Sequence, residues 1–146
     1  EAELLATRAT EILKQSLGDE HPYYAMSMGN LGRIYLAEKN IQRAEPLLQQ
    51  SATLLERTLG VNHPKYAASQ LRIGELNASR GDYKVSEELT RKALSIDEAA
   101  LGKEHPRLLE VLKVYADVLH KSGRSSEAET IERRAEKIRC ASKPPR

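Results

Sequence analysis

Phenylalanine and tryptophan are missing from this chain of 146 residues, and six tyrosines supply its only aromatic rings. That excludes a thick core built around large rings; leucine, isoleucine, alanine and tyrosine suit thin helical layers better. A single cysteine, Cys140, rules out an internal disulfide. No stretch approaches the ~18 to 20 consecutive apolar residues that a membrane-spanning helix needs. An excess of one charge is lacking too: 23 Lys and Arg against 21 Asp and Glu leave a net +2. With both signs interspersed, that is no field for nucleic acid or a membrane surface. Catalytic signatures are equally scarce. Gly102-Lys103 lacks the upstream glycine and the following Ser or Thr of a phosphate-binding loop. Neither His-Glu-x-x-His nor Gly-x-Ser-x-Gly occurs, and adjacent carboxylates such as Glu87-Glu88 do not share a helix face. No catalytic residue, cofactor or metal is therefore expected, and the chain reads as a non-enzyme. It opens Glu1-Ala2-Glu3 with neither methionine nor a basic-then-apolar leader, so it reads as a fragment; the lone cysteine allows a reducing compartment, and a cytoplasmic setting is expected.

What is present is a repeat. Leu17-Gly18 recurs as Leu59-Gly60 and Leu101-Gly102, and His21-Pro22 as His63-Pro64 and His105-Pro106, always 42 residues apart. A Leu-Gly-x-x-His-Pro hexamer placed three times at one period marks a repeat architecture. Glu45, Glu87 and Glu129 share that register, as do Gly32, Gly74 and Ala116.

Each unit reads as two helices. Pro22 suits a first helical turn, where its missing N–H is no loss, and Ala25, Met28, Leu31 and Tyr35 follow as one apolar stripe. A break comes at Lys39-Asn40, Gly81-Asp82 and Gly123-Arg124. The second helix carries Ala44, Leu47, Leu48, Ser51, Leu54 and Leu55, with Pro46 in its first turn, and Gly60 supplies a left-handed ending. Seven helices are predicted, at roughly 2–16, 22–38, 42–58, 64–80, 84–100, 106–122 and 125–140. Such pairs cannot bury their stripes alone, so they stack into an all-α solenoid with a continuous narrow core. The expected interior columns are Leu31/Ile73/Tyr115, Gly32/Gly74/Ala116, Ala44/Ser86/Ala128 and Leu47/Leu89/Ile131.

The unit carrying Leu31-Gly32, Tyr35, Ala44 and Leu47 resembles the tetratricopeptide repeat. Its 42-residue period, its Leu-Gly-x-x-His-Pro linker and Ala44-Glu45-Pro46-Leu47 are similar to the longer variety found in kinesin light chains and related proteins. The resemblance implies a right-handed solenoid whose first helices line a concave groove where extended peptides bind. Ser27, Asn30 and Arg33 share one face of the first helix. One repeat on stand Ser69, Arg72 and Glu75; on the third repeat, Lys113 and Asp117 complete the candidate groove. Two ladders result, Asn30/Arg72/Val114 and Arg33/Glu75/Asp117. Asn30 and Arg72 could hold a ligand's backbone or carboxylate through arginine's forked donors, unless Arg72 or Arg33 is paired to Glu75.

Other residues read as structural. The three His-Pro histidines cannot converge on a metal, since packed helices lie roughly 8–10 Å apart; they are capping residues. His120 is an exposed surface group and Cys140 an inert thiol. Asn77-Ala78-Ser79 fits a glycosylation acceptor, but Asn77 shares an interior column with Tyr35 and Leu119, so it reads as a buried amide needing a partner. The last helix carries one apolar stripe, Ala128, Ile131, Ala135 and Ile138, and closes the array.

The organisation expected is one repeat domain over 1–140: a half repeat at 1–20, repeats at about 21–62, 63–104 and 105–140, and a disordered tail at 141–146. The half repeat should expose Leu5, Ile12 or Leu13, and further repeats are expected upstream. The leading function is a non-enzymatic scaffold binding a protein or peptide. The alternatives are a sensor or recruitment appendage of a larger enzyme or NTPase, and a structural or self-association spacer, monomeric or weakly associating through the N-terminal end.

Overall fold

The structure, a computed structural model, describes residues 1–142. Among them are seven α-helices and no strand: α1 (Ala2–Leu17), α2 (Pro22–Ala37), α3 (Ile41–Leu59), α4 (Pro64–Ser79), α5 (Tyr83–Leu101), α6 (Leu108–Lys121) and α7 (Ser125–Ala141). Six match the spacing-based bounds to within a residue at either end. The exception is α6, which starts at Leu108 rather than 106, because its first turn is tightened. The Leu108 N–H donates to the His105 carbonyl and Leu109 to Pro106, i→i+3 bonds where α2 and α4 use i→i+4. Ala141 ends α7, so only Ser142 of the expected tail is described beyond a helix; residues 143–146 lie outside the described part.

The capping chemistry is local and repeated. His21, His63 and His105 each turn Nδ1 back to accept the N–H two residues on, from Tyr23, Lys65 and Arg107 at 3.1, 3.0 and 3.1 Å. This satisfies one orphan donor per helix start. At the outer-helix ends, Gly60 stands at φ 86°, ψ 164°, positive φ with extended ψ rather than the left-handed helical ending expected. That region is essentially glycine-only, and the Leu-Gly register is thereby explained. The break between paired helices also needs positive φ: Gly81 and Gly123 supply it, and in the first full repeat Lys39 does, at φ 59°. Pro46 is not in a first turn. It is the sixth residue of α3, so the carbonyl of Gln42 loses its helical partner; both residues are exposed, and water can serve that carbonyl.

Each helix packs on its chain neighbours, and α4 also touches both α2 and α6, whereas α1, α3, α5 and α7 do not touch one another. The three closer helices therefore form the inner, concave layer. The core is segmented rather than continuous. One group of apolar side chains spans α4 to α7; a smaller one joins α2 and α3 with Leu76 of α4 and Ala6 of α1, and the smallest lies between α2 and α3. Ser86 and Thr90 of α5, both fully buried, lie against Gly74 of α4. The Ala44/Ser86/Ala128 column is buried as expected, but Leu47, Leu89 and Ile131 are only half-buried. Asn77 is half-buried and finds its partner in its own helix, donating to the Ile73 carbonyl at 2.8 Å.

Glutamates at one register of the outer helices tie each repeat to the next. Glu3 takes Arg43 at 2.9 Å and the Tyr35 hydroxyl at 2.8 Å. Glu45 takes Arg80 through both oxygens, at 2.8 and 2.5 Å, and Glu87 takes Arg124 at 2.6 Å. Hydrogen bonds from Tyr35 and from Arg80 hold the Glu3 and Glu45 carboxyls below the usual carboxylate range. Burial, helped by the Glu3 bond, pushes the Tyr35 phenol up.

Candidate functional site

The concave layer carries two adjoining depressions. The first, of about 280 Å³, has an apolar floor of Leu36, Ala78, Val114 and Val118, and a rim of Arg33, Glu75, Asp117 and Lys121. It gathers the whole Arg33/Glu75/Asp117 ladder from three inner helices. Arg33, Asp117 and Lys121 form no ion pair among the described residues, so their charges face solvent. The second, of about 170 Å³, joins Asn30, Ser69 and Arg72 with Met26, Leu55, Lys65 and Arg107.

Arg72 is the deepest charge in the groove, with its side chain 15% exposed. Its fork is split, one nitrogen to Glu75 at 2.9 Å and the other to Glu110 at 2.5 Å. Burial would lower the guanidinium pKa, but the two carboxylates overcome this and raise it, so the charge stays fixed. A ligand carboxylate reaching Arg72 has to displace Glu110, the more exposed of the two. Arg33, by contrast, is left unpaired by Glu75.

The other predicted groove residues fall elsewhere. Ser27 and Ser69 are buried, their hydroxyls donating to the Tyr24 and Tyr66 carbonyls at 2.8 and 2.7 Å, so neither offers a free donor. Val114, on the Arg72 register, is buried. Lys113 lies in a wider groove of about 990 Å³ between α6 and α7, with Asp117 on the shared edge. Sequence reasoning missed Lys65, Arg107 and Glu110. The signal was available, since Tyr23, Lys65 and Arg107 are one register of the period, as are Met26, Ala68 and Glu110.

Beyond the groove little chemistry is gathered. Among the described residues no three His, Cys, Asp or Glu side chains converge as a metal site, and no helix is long and apolar enough to cross a membrane. His120 is exposed and meets Glu132 at 3.0 Å. Cys140 is exposed, its thiol 3.3 Å from Glu136.

The Tetratricopeptide repeat family matches residues 1–57, 34–99 and 66–141 of the chain. No curated protein matches it. Among solved structures, the crystal structure of BtubC (BKLC) from P. vanneervenii superimposes with a TM-score of 0.77 at 22% identity. That match covers 99% of this chain and 58% of that one. A putative kinesin light chain from Podosopora anserina, with nearly identical TPR-like repeats, gives a TM-score of 0.69 at 26% identity, covering 98% of this chain and 68% of that one. A variant crystal structure of the same protein gives 0.73 at 26% identity, covering 97% and 67%. The chain thus spans only 58 to 68% of the solved chains it resembles.

Proposed function

The chain belongs to the tetratricopeptide repeat family, and from that premise we propose that it is a non-enzymatic scaffold that takes an extended peptide or protein segment along its concave face. Repeats of this family generally mediate protein–protein interaction. The observation that carries the reading to this chain is the first depression. There Arg33, Glu75 and Asp117, from three successive inner helices, surround a floor of Leu36, Ala78, Val114 and Val118. The unpaired charges of Arg33 and Asp117 beside an apolar floor suit a peptide, whose backbone and polar groups need partners while its apolar side chains need cover. Lys65 and Arg107 flank the second depression without ion pairs, which favours acidic groups on the segment lying there. An adaptor or scaffold working this way needs no metal or cofactor.

The test is charge reversal at groove positions that form no ion pair among the described residues. Arg33→Glu combined with Arg107→Glu leaves the Arg72–Glu75–Glu110 cluster intact. Affinity capture with mass spectrometry on the wild-type and double-variant chains should show the partner set lost or thinned in the variant. An unchanged partner set, with unchanged helicity and melting, refutes binding in the groove.

A further inference from the structure

Glu110 reaches across the groove, from α6 to α4, and meets one nitrogen of the Arg72 fork at 2.5 Å. The two ends of that bond differ in depth, the Arg72 side chain being 15% exposed and Glu110 57%. The arginine is therefore fixed, and the glutamate is the end with room to swing. Its carboxylate is particular to the third repeat: one and two periods back the register holds Ala68 and Met26, neither of which can pair with a cation. A second cation stands beside it. Arg107 precedes Glu110 by three residues at the start of α6, a spacing that puts the two side chains on one face. Arg107 forms no ion pair among the described residues, yet it lines the same depression as Arg72. Asp97 of α5 senses both neighbours. Burial raises its carboxyl pKa, Arg107 opposes that rise and Glu110 adds to it.

We propose that Glu110 is a two-position gate that sets the specificity of the second depression. It rests on Arg72 while the groove is empty, and turns to Arg107 when an Asp or Glu side chain of an extended peptide takes Arg72. The inference rests on the reading of the concave face as a peptide groove. A neutral segment is refused, because displacing Glu110 would leave a largely buried guanidinium short of a partner. An incoming carboxylate replaces the bond that it breaks, and Arg107 receives the displaced charge, so the exchange conserves the number of ion pairs. The two seats are discrete arrangements of one side chain, and the ligand shifts the population between them. Lys65, on the same depression, is left for a second acidic group.

Two measurements test the gate, one of them without ligand. A crystal structure of the Arg72→Asn chain removes the first seat and installs the residue that the first repeat carries there, Asn30. The Glu110 carboxylate should then stand within hydrogen-bond distance of the Arg107 guanidinium; a Glu110 turned to solvent beside an unpaired Arg107 overturns the gate. The second measurement titrates capped pentaglutamate and capped pentaglutamine into the full chain at low salt, read by NMR shifts at Asn30 and Ser69. Wild type should bind pentaglutamate and refuse pentaglutamine. Glu110→Gln should tighten pentaglutamate about tenfold, whereas Glu129→Gln, which removes the same charge outside the two depressions, should change it by less than about twofold. Equal gains from the two variants overturn the gate by assigning the effect to net charge, and equal binding of both peptides by wild type overturns it too. Pentaglutamate binding that Glu110→Gln leaves unaltered overturns the gate alone. Binding of neither peptide by either chain refutes the groove reading, and the gate falls with it.

Discussion

Gly32 and Gly74 hold the same register one repeat apart, and an alanine at each should have opposite effects. Both are buried in inner helices, where replacing glycine by alanine gains about 1 kcal/mol of helix propensity. At Gly74 an added Cβ would lie 3.2 Å from the Thr90 hydroxyl and 3.4 Å from the Ser86 carbonyl, a crowding that small shifts relieve. The third repeat already carries Ala116 there, buried. At Gly32 the Cβ would lie 2.7 and 2.8 Å from two carbons of Leu48, a side chain only 1% exposed. Carbon pairs are comfortable at about 3.5–4.0 Å, so Leu48 has to leave its rotamer, at a cost of about 2–3 kcal/mol. Gly74→Ala should therefore stabilise by up to about 1 kcal/mol, and Gly32→Ala should destabilise by about 1–2 kcal/mol. Urea unfolding of both variants measures the difference directly. A double-mutant cycle identifies its cause: in a Leu48→Ala background the Gly32→Ala step should become stabilising, for a coupling of about 2–3 kcal/mol. Equal stabilisation by the two single variants, or a coupling near zero, refutes the clash.

Three further outcomes follow from the described contacts. The Ser86 hydroxyl is fully buried without a hydrogen-bond partner, so Ser86→Ala should raise the melting free energy by about 1 kcal/mol or leave it unchanged; a loss would mean the hydroxyl has a partner. Lys39 holds the positive φ that glycine supplies in the next two repeats, so Lys39→Gly should stabilise by about 0.5–1 kcal/mol, read by thermal unfolding. Glu45 has its folded pKa lowered by hydrogen bonds from Arg80, so its contribution is present above the unfolded carboxyl value and is lost as pH falls through the folded one. Glu45→Gln should flatten the acid limb of the stability–pH curve and leave the shape of the curve above neutrality alone; an unchanged acid limb counts against the pair.

The helices were legible because their signals are local. Proline at an inner-helix start, glycine after the outer helix and a stripe at helical spacing fix each element regardless of its neighbours. The groove was legible only as a face. Periodicity brought Arg33, Glu75 and Asp117 together, but it could not show that Arg72 is held by Glu110 from the next inner helix, because that contact depends on how far one repeat is rotated against the other. The serines failed for a local reason: at Ser27 and Ser69 the hydroxyl bonds back to the carbonyl three residues earlier, and a helical wheel cannot tell this from a free donor. The depth of Thr90 beside the shallower Leu89 is likewise a product of inter-helix angle rather than of residue type.

The forward-reaching glutamates have a consequence for shape. Glu3–Arg43, Glu45–Arg80 and Glu87–Arg124 all lie beside the turns between inner and outer helices, along one edge of the superhelix. Glu129 holds the same register in the last repeat without an ion pair among the described residues. Ties along one edge act like stitches along one side of a ribbon: they set its curl. Because they are partly exposed, added salt slackens them while leaving the apolar seams alone. The pitch of the concave surface, and with it the spacing of its two depressions, is then expected to shift with ionic strength while the helix content stays constant.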